Sequence, residues 1–240
     1  MDKKIRLYFS DKIQSDLVAH LQREQSHYLK DVMRLQVGDT FSIFNGQGEW
    51  KASIQNYEKQ AVKIKILEKL RDKKNEKNIW LAFTPIKQNP LNFIIQKGTE
   101  LGVQKFIPIL SERTEVKDIN IERIKKIIIE SAEQSNRISV PEITTLETLK
   151  KFISTFPKKG CLVFCDINCD QSDFKKILSK KDLEPICILV GPEGDFSENE
   201  RNLIIDLKQT KSISLAKNIL RAETAAVAAV TLVNYCLNIS

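Results

Sequence analysis

The run Pro185-Ile186-Cys187-Ile188-Leu189-Val190 is apolar at every position, so a strand built from it has no face to offer water. Such a strand belongs inside a largely parallel sheet with helices on both faces. The run stops at Gly191-Pro192-Glu193-Gly194. Ser197 then reads as a helix N-cap, with Glu200 three residues later completing a capping box. The order is strand, glycine turn, helix N-terminus. At such a turn a ligand can approach the backbone, and free N–H groups can donate to it. The same turn can equally do no more than reverse the chain.

The pattern repeats on either side. Ile79 to Ile86, 106–110, 160–166, 185–190 and 211–215 read as strands. Between and after them Pro90 to Gly102, Ile121 to Ile138, Leu146 to Phe156, 172–179 and 197–208 read as helices, and a terminal helix starts at Ile219 and runs to about Asn238. This alternation predicts an α/β domain over residues 75–240. The polar run Arg71-Asp72-Lys73-Lys74-Asn75-Glu76-Lys77-Asn78 marks its boundary. Before that run the pattern is different. Ile5 to Phe9, 40–44, 50–54 and 61–67 are short strands, with Asn45-Gly46-Gln47-Gly48 as a hairpin turn and helical spacing at Leu29, Val32 and Met33. Close-set short strands predict a small β-barrel over residues 1–74.

Charge separates the same two parts. Residues 1–74 carry 15 Lys and Arg against 10 Asp and Glu, and residues 75–240 carry 23 against 21. A basic excess concentrated in the smaller part points to a phosphate-rich partner such as RNA, although lysines also serve solubility alone. No apolar run reaches the roughly 18 residues of a membrane helix, and Met1-Asp2-Lys3-Lys4 opens no signal peptide, so a cytoplasmic protein is expected. Five cysteines without a secretion signal are expected to be thiols. Cys161 and Cys165 share a face of one strand roughly 13 Å apart, too far for one metal, and no metal site is expected.

Familiar catalytic motifs are missing: there is no Walker motif, no GxSxG and no GxGxxG after a strand. Both histidines, His20 and His27, fall in the N-terminal part. The terminal helix opens with Ile219-Leu220-Arg221-Ala222-Glu223-Thr224-Ala225, whose small residues permit close backbone approach. Glu223 suits a helix N-terminus, whereas Arg221 sits at the end that disfavours a cation, which weights it towards function.

Gly191-Pro192-Glu193-Gly194 with Ile219 to Ala225 closely resembles the SPOUT-class RsmE family, ribosomal RNA small-subunit methyltransferases that methylate N3 of a uridine in 16S RNA. The resemblance includes Arg6 to Phe9, His27 to Gly38, Asn45 to Gly48, Lys97-Gly98-Thr99-Glu100-Leu101-Gly102-Val103, Ser111-Glu112-Arg113 and Glu130 to Arg137. It implies a PUA-like RNA-binding barrel, then a SPOUT α/β domain whose last segment threads a trefoil knot. It also implies S-adenosylmethionine as cofactor, ribosomal RNA or the small ribosomal subunit as partner, and a homodimer. The implied cofactor contacts are Leu189, Val190, Gly191, Pro192, Glu193 and Gly194, with Leu215, Ala216, Asn218, Ile219, Leu220 and Thr224.

Arg221 is the implied stabiliser of charge on the uracil carbonyl oxygens, and Glu223 either orients it or removes the N3 proton. Arg6, Arg34, Arg113, Gln134 and Arg137 are the implied RNA contacts. Lys97 and Glu100 read as structural. Three positions depart from the family pattern: Asp195 where a glycine is common, and Ala216 and Asn218 in the loop before Ile219. They bear on cofactor affinity. A ribose 2′-O methyltransferase of the same knotted class, and an RNA-binding assembly factor without activity, are the competing readings.

Overall fold

The computed structural model describes residues 5–59, 61–170, 173, 174, 177 and 183–239. Its contacts divide the chain into two units: Met1–Asn75 with Ala132–Val140, and Glu76–Ser131 with Pro141–Ser240. The segment 132–140 thus packs with the first unit, whereas the sequence pattern assigns it to the second.

In the first unit five strands, β1 (Arg6–Tyr8), β2 (Val18–His20), β3 (Thr40–Phe44), β4 (Gly48–Tyr57) and β5 (Val62–Asp72), form one sheet in the order β1-β3-β4-β5-β2. Alternation places Phe41, Ile43, Trp50, Ile54, Ile64 and Ile66 in its core with Leu7, Leu21 and Leu29. Asn45 accepts from the Gln47 N–H at 3.1 Å, and Gly46 lies at φ +85°, closing the expected hairpin. Strand β5 runs to Asp72, into the polar run read as the domain boundary, because it stays paired with Gly48 and Glu49. A short helix α1 (Arg23–His27) passes into one π-helical turn, Tyr28–Val32. Strand β2 carries no sequence signal strong enough to predict it.

A buried ion cluster closes this unit. Arg6 donates from Nε and Nη2 to the two carboxylate oxygens of Glu49, both at 3.2 Å. Its remaining N–H groups reach the carbonyls of Ala132 (3.1 Å), Glu133 (2.9 Å) and Arg137 (2.6 Å). All five guanidinium donors are therefore used. Two of those carbonyls belong to the last turn of helix α3 (Ile121–Gln134), where a cation also suits the helix dipole. Arg71 donates to Glu49 at 2.6 Å and to the Asn136 carbonyl at 2.8 Å. Helix α3 ends at Gln134, four residues before the Ile138 limit that apolar spacing suggests, with Asn136 left-handed at φ +62° just beyond it.

In the second unit β6 (Ile79–Phe83), β7 (Lys105–Leu110), β8 (Glu142–Ile143), β10 (Cys161–Cys165), β11 (Ile186–Val190) and β12 (Thr210–Ile213) form a sheet ordered β12-β10-β11-β6-β7-β8. The short β9 (Glu147–Thr148) pairs with β7 beyond β8, and every pairing among the described residues of this sheet is parallel. Leu162, Phe164, Cys187, Leu189, Ala82 and Ile107 lie in its core. Helices α2 (Gln88–Glu100), α4 (Leu149–Thr155), α5 (Glu198–Asp206) and α6 (Ala222–Ile239) connect or follow the strands. The expected helix at 172–179 lies outside the described residues, except 173, 174 and 177. Helix α6 begins at Ala222 rather than Ile219: the Arg221 carbonyl accepts its first bond, from Ala225 N–H at 2.8 Å.

Candidate active site

The all-apolar strand β11 is buried at all five positions, between β10 and β6. Loops 166–170, 191–197 and 214–221 leave the C-terminal ends of β10, β11 and β12, three neighbouring strands. In open parallel sheets that edge is where ligands bind.

The loop after β11 is held from beneath. A Cβ at Gly191 would lie 2.8 Å from Cε2 of Phe196, so glycine lets the backbone sit directly on that ring. Phe196 in turn meets Phe164 edge-on at 5.7 Å. The expected capping box is present: Ser197 accepts from Glu200 N–H at 3.3 Å, and Glu200 accepts from Ser197 N–H at 3.2 Å. Glu200 also accepts from Glu112 N–H at 2.9 Å, and Arg113 donates to the Gly194 carbonyl at 2.8 Å. Ser111-Glu112-Arg113 is thus a docking segment for the glycine turn.

The side chains of Leu189 and Val190 belong to the core, so only their backbone is available to a ligand. Gly191 and Pro192 are half-buried, and Glu193 and Gly194 are exposed. Asp195 adopts φ +58°, a left-handed conformation that glycine takes freely and Asp only occasionally. In the loop after β12, Leu215 and Leu220 are half-buried, Ala216 and Asn218 are exposed, and Ile219 is 83% exposed. No hydrogen bond among the described residues uses the N–H groups of Glu193, Gly194 or 216–220. Beside Val190, the Thr84 hydroxyl is buried and without a partner, while Thr84 N–H reaches the Val190 carbonyl at 3.3 Å. Unpaired backbone donors in loops at neighbouring strand ends fit a ligand with polar ring nitrogens and hydroxyls.

Arg221 and Glu223 stand at the start of α6, Arg221 exposed and Glu223 half-buried, with Thr224 exposed beside them. They form no ion pair with each other among the described residues. Arg221 stands at the N-cap position, where its cation still faces the positive end of the helix dipole.

Two of the expected RNA contacts are buried in the first unit. Arg6 is 7% exposed and its donors are consumed by Glu49 and three carbonyls. Arg137 is 9% exposed and donates to Ser139 at 2.7 Å. Neither presents its guanidinium to a phosphate. Arg34 and Gln134 are exposed, both in the first unit, and Arg113 is exposed in the second. Arg34 stands at φ +55° just past the π-helical turn.

Sequence reasoning missed Asp166, Asn168 and Arg201. Asp166 is buried and pairs with Arg201, Nη2 to Oδ2 at 2.8 Å and Nε to Oδ1 at 3.3 Å. The hydrogen bonds with the carboxylate raise the already high Arg201 pKa. An aspartate ending an apolar strand was the available signal, because a buried carboxylate needs a partner.

All five cysteines are free thiols. Burial pushes Cys165 up to about 12 and raises Cys161 and Cys187 as well, so these thiols are poor nucleophiles near neutrality. Among the described residues no group of three His, Cys, Asp or Glu is placed to hold a metal, and no helix is long and apolar enough to cross a membrane.

A parallel α/β unit with unpaired backbone donors in the loops at its strand ends follows a sheet-built N-terminal unit in this chain. The family model described as an RNA methyltransferase domain matches residues 73–234, and the RNA methyltransferase PUA domain matches residues 21–67. The chain is an RNA methyltransferase of that two-part kind. It is 34% identical to ribosomal RNA small subunit methyltransferase E of Rickettsia conorii, across 94% of this chain and 93% of the relative. A Neisseria gonorrhoeae enzyme of the same name, solved bound to S-adenosyl methionine, superposes with a TM-score of 0.87 at 26% identity, covering 97% of each chain. A methyltransferase of Legionella pneumophila, solved in complex with the same cofactor, superposes equally well at 27% identity over 97% of this chain and 98% of its own. The chain belongs to the ribosomal RNA small subunit methyltransferase E family.

Proposed function

We propose that this protein transfers a methyl group from S-adenosylmethionine to N3 of a uridine in 16S ribosomal RNA, in the cytoplasm and as a homodimer. The observation that carries the reading is the set of unpaired backbone N–H groups in the loops that leave the neighbouring ends of β11 and β12, with the buried, unpartnered Thr84 hydroxyl beside Val190. Gly191 to Gly194 and Leu215 to Leu220 would hold the cofactor there, with Thr224 at the start of α6. In this reading the segment from β12 onward completes the trefoil knot. Exposed Tyr235 and Phe93, on the packed helices α6 and α2, supply apolar surface for the dimer.

When bound, the cofactor supplies an electrophilic methyl carbon attached to a sulfonium. The protein must remove the N3 proton and stabilise the charge that spreads to the flanking carbonyl oxygens. Arg221 is exposed and able to donate to those oxygens. Glu223 makes no ion pair with Arg221, which favours it as proton acceptor over the role of orienting the arginine. Thr224 hydrogen-bonds the base edge. Arg113 spends one donor on Gly194 and keeps others for a phosphate. Residues 1–74, with exposed Arg34, and Gln134 from the same unit grip the RNA backbone.

The test is methylation of small-subunit particles lacking the modification, followed by mass mapping of the nucleotide. Arg221→Ala is expected to slow transfer at least about 100-fold, the scale of one lost oxyanion donor, while cofactor affinity measured by calorimetry changes little. Undiminished transfer would remove Arg221 from the mechanism. A methyl group mapped to a ribose hydroxyl would replace the uracil reading with the 2′-O one.

A further inference from the structure

A chain of hydrogen bonds, closed through the Phe196–Ser197 peptide link, joins the loop after β10 to the loop after β11. Arg201, on the first turns of α5, grips the buried Asp166 carboxylate with two nitrogens. Asp166 Oδ1 also accepts from Asn168 N–H at 2.9 Å, which fixes the backbone of Asn168. The Asn168 amide donates to Asp195 Oδ2 at 3.2 Å, and Asp195 Oδ1 accepts from Phe196 N–H at 2.8 Å. Arg201 N–H returns to the Ser197 carbonyl at 2.8 Å. Every link is a side chain or backbone group of residues 166–168 or 195–201.

Asp195 is the member with a conformational cost. Its left-handed backbone is disfavoured for a residue with a Cβ, and aspartate visits it when its side chain bonds locally, as it does here to Phe196. The other oxygen reaches across to Asn168, so one residue bends the turn and ties it to the neighbouring loop. Asp195 directly follows Gly194, whose N–H is unpaired, and precedes Phe196, on which Gly191 rests.

We propose that Asp195 and Asn168 form a positioning latch that sets the cofactor-binding turn, with Asp166 and Arg201 as its anchor. The latch acts through the turn and touches neither substrate nor the reacting atoms. It rests on the reading of Gly191 to Gly194 as cofactor contacts. Hydrogen bonding, and not the charge of Asp195, is what the latch needs. Asparagine also adopts the left-handed region, and a flipped Asn168 amide can pair with it.

Calorimetry of S-adenosylmethionine binding to the full-length protein tests this, together with the split between kcat and the KM for cofactor. Asn168→Ala and Asp195→Gly should each raise the Kd about five- to tenfold, the scale of one lost hydrogen bond, with the double variant no worse than either alone. Asp195→Asn should stay within about twofold of wild type. For all of them kcat at saturating cofactor and the melting midpoint should hold. Wild-type affinity in Asp195→Gly overturns the latch. Asp195→Asn as weak as Asp195→Gly overturns it in favour of a charge effect, and a joint fall in kcat and melting midpoint overturns it in favour of general destabilisation. If the wild-type protein takes up no cofactor, the proposed function fails first and the latch falls with it.

Discussion

Arg6→Ala separates a structural arginine from an RNA-binding one. The substitution strips Glu49, 1% exposed, of one of its two cationic partners and leaves Arg71 as the other. It also leaves the carbonyls of Ala132, Glu133 and Arg137 without this donor. Removing one partner of a buried ion pair costs about 3–5 kcal/mol. The retained Arg71 contact argues for the lower end, and the three carbonyls, each worth about 1 kcal/mol if they stay dry, argue against anything smaller. An expectation of about 3–4 kcal/mol is a large fraction of the roughly 5–15 kcal/mol that stabilises a domain. The chain has two tryptophans, Trp50 in the first unit and Trp80 in the second. In a Trp80→Phe background, Trp50 fluorescence therefore reports unfolding of the first unit in urea. With a slope of about 1 kcal/mol per molar for a unit this small, the midpoint should fall by about 3 M, or the unit should be unfolded from the start. An unchanged midpoint with RNA affinity lowered tenfold would refute the buried-cluster argument and restore Arg6 as a phosphate contact.

The same cluster makes the first unit acid-sensitive. Burial alone would raise the Glu49 pKa, but hydrogen bonds and charge from Arg6 and Arg71 outweigh it and hold the carboxyl below its ordinary 4.5. A depressed folded-state pKa stabilises above the unfolded value and loses that contribution as pH falls through the folded one. The Trp50 midpoint should hold from neutrality to about pH 5 and drop below 4.5; a Glu49→Gln protein that shows the same acid slope would assign it elsewhere. Gly191→Ala places a methyl 2.8 Å from Phe196, whose ring already meets Phe164, and overpacking of this kind costs about 1–3 kcal/mol. A melting midpoint lower by several degrees and weaker cofactor binding by calorimetry are expected, and wild-type values for both would mean that Phe196 yields freely.

Much of the second unit is legible because its signals are local. Five apolar residues in β11 demand cover on both faces, and Ser197 with Glu200 three residues on is a capping box within a single turn. Boundaries were read less well where a distant partner decides them. Strand β5 continues through Leu70 and Asp72 because β4 lies beside it, and α3 stops at Gln134 with Asn136 left-handed and its carbonyl held by Arg71. Helix α6 lacks Ile219 to Arg221, although Ile219, Leu220 and Arg221 are acceptable helix formers, so propensity alone places its start too early.

The candidate site divides in the same way. Glycine turns, helix caps and the Arg221-Ala222-Glu223-Thr224-Ala225 helix start depend on neighbours within a few positions, so the sequence by itself determined the strand-turn-helix unit and the second loop of the candidate site. Side-chain allegiance across tens of residues was decided only by tertiary structure. Arg6 reads as a surface cation until Glu49 and the α3 carbonyls enclose it, 43 and more than 120 residues away in the chain. Asp195 reads as a misplaced side chain in a glycine turn until Asn168, 27 residues earlier, is brought beside it. Hydrogen bonds act over about 3 Å in space and carry no trace of their partner along the sequence, so the parallel order of β10, β11 and β12 had to supply it.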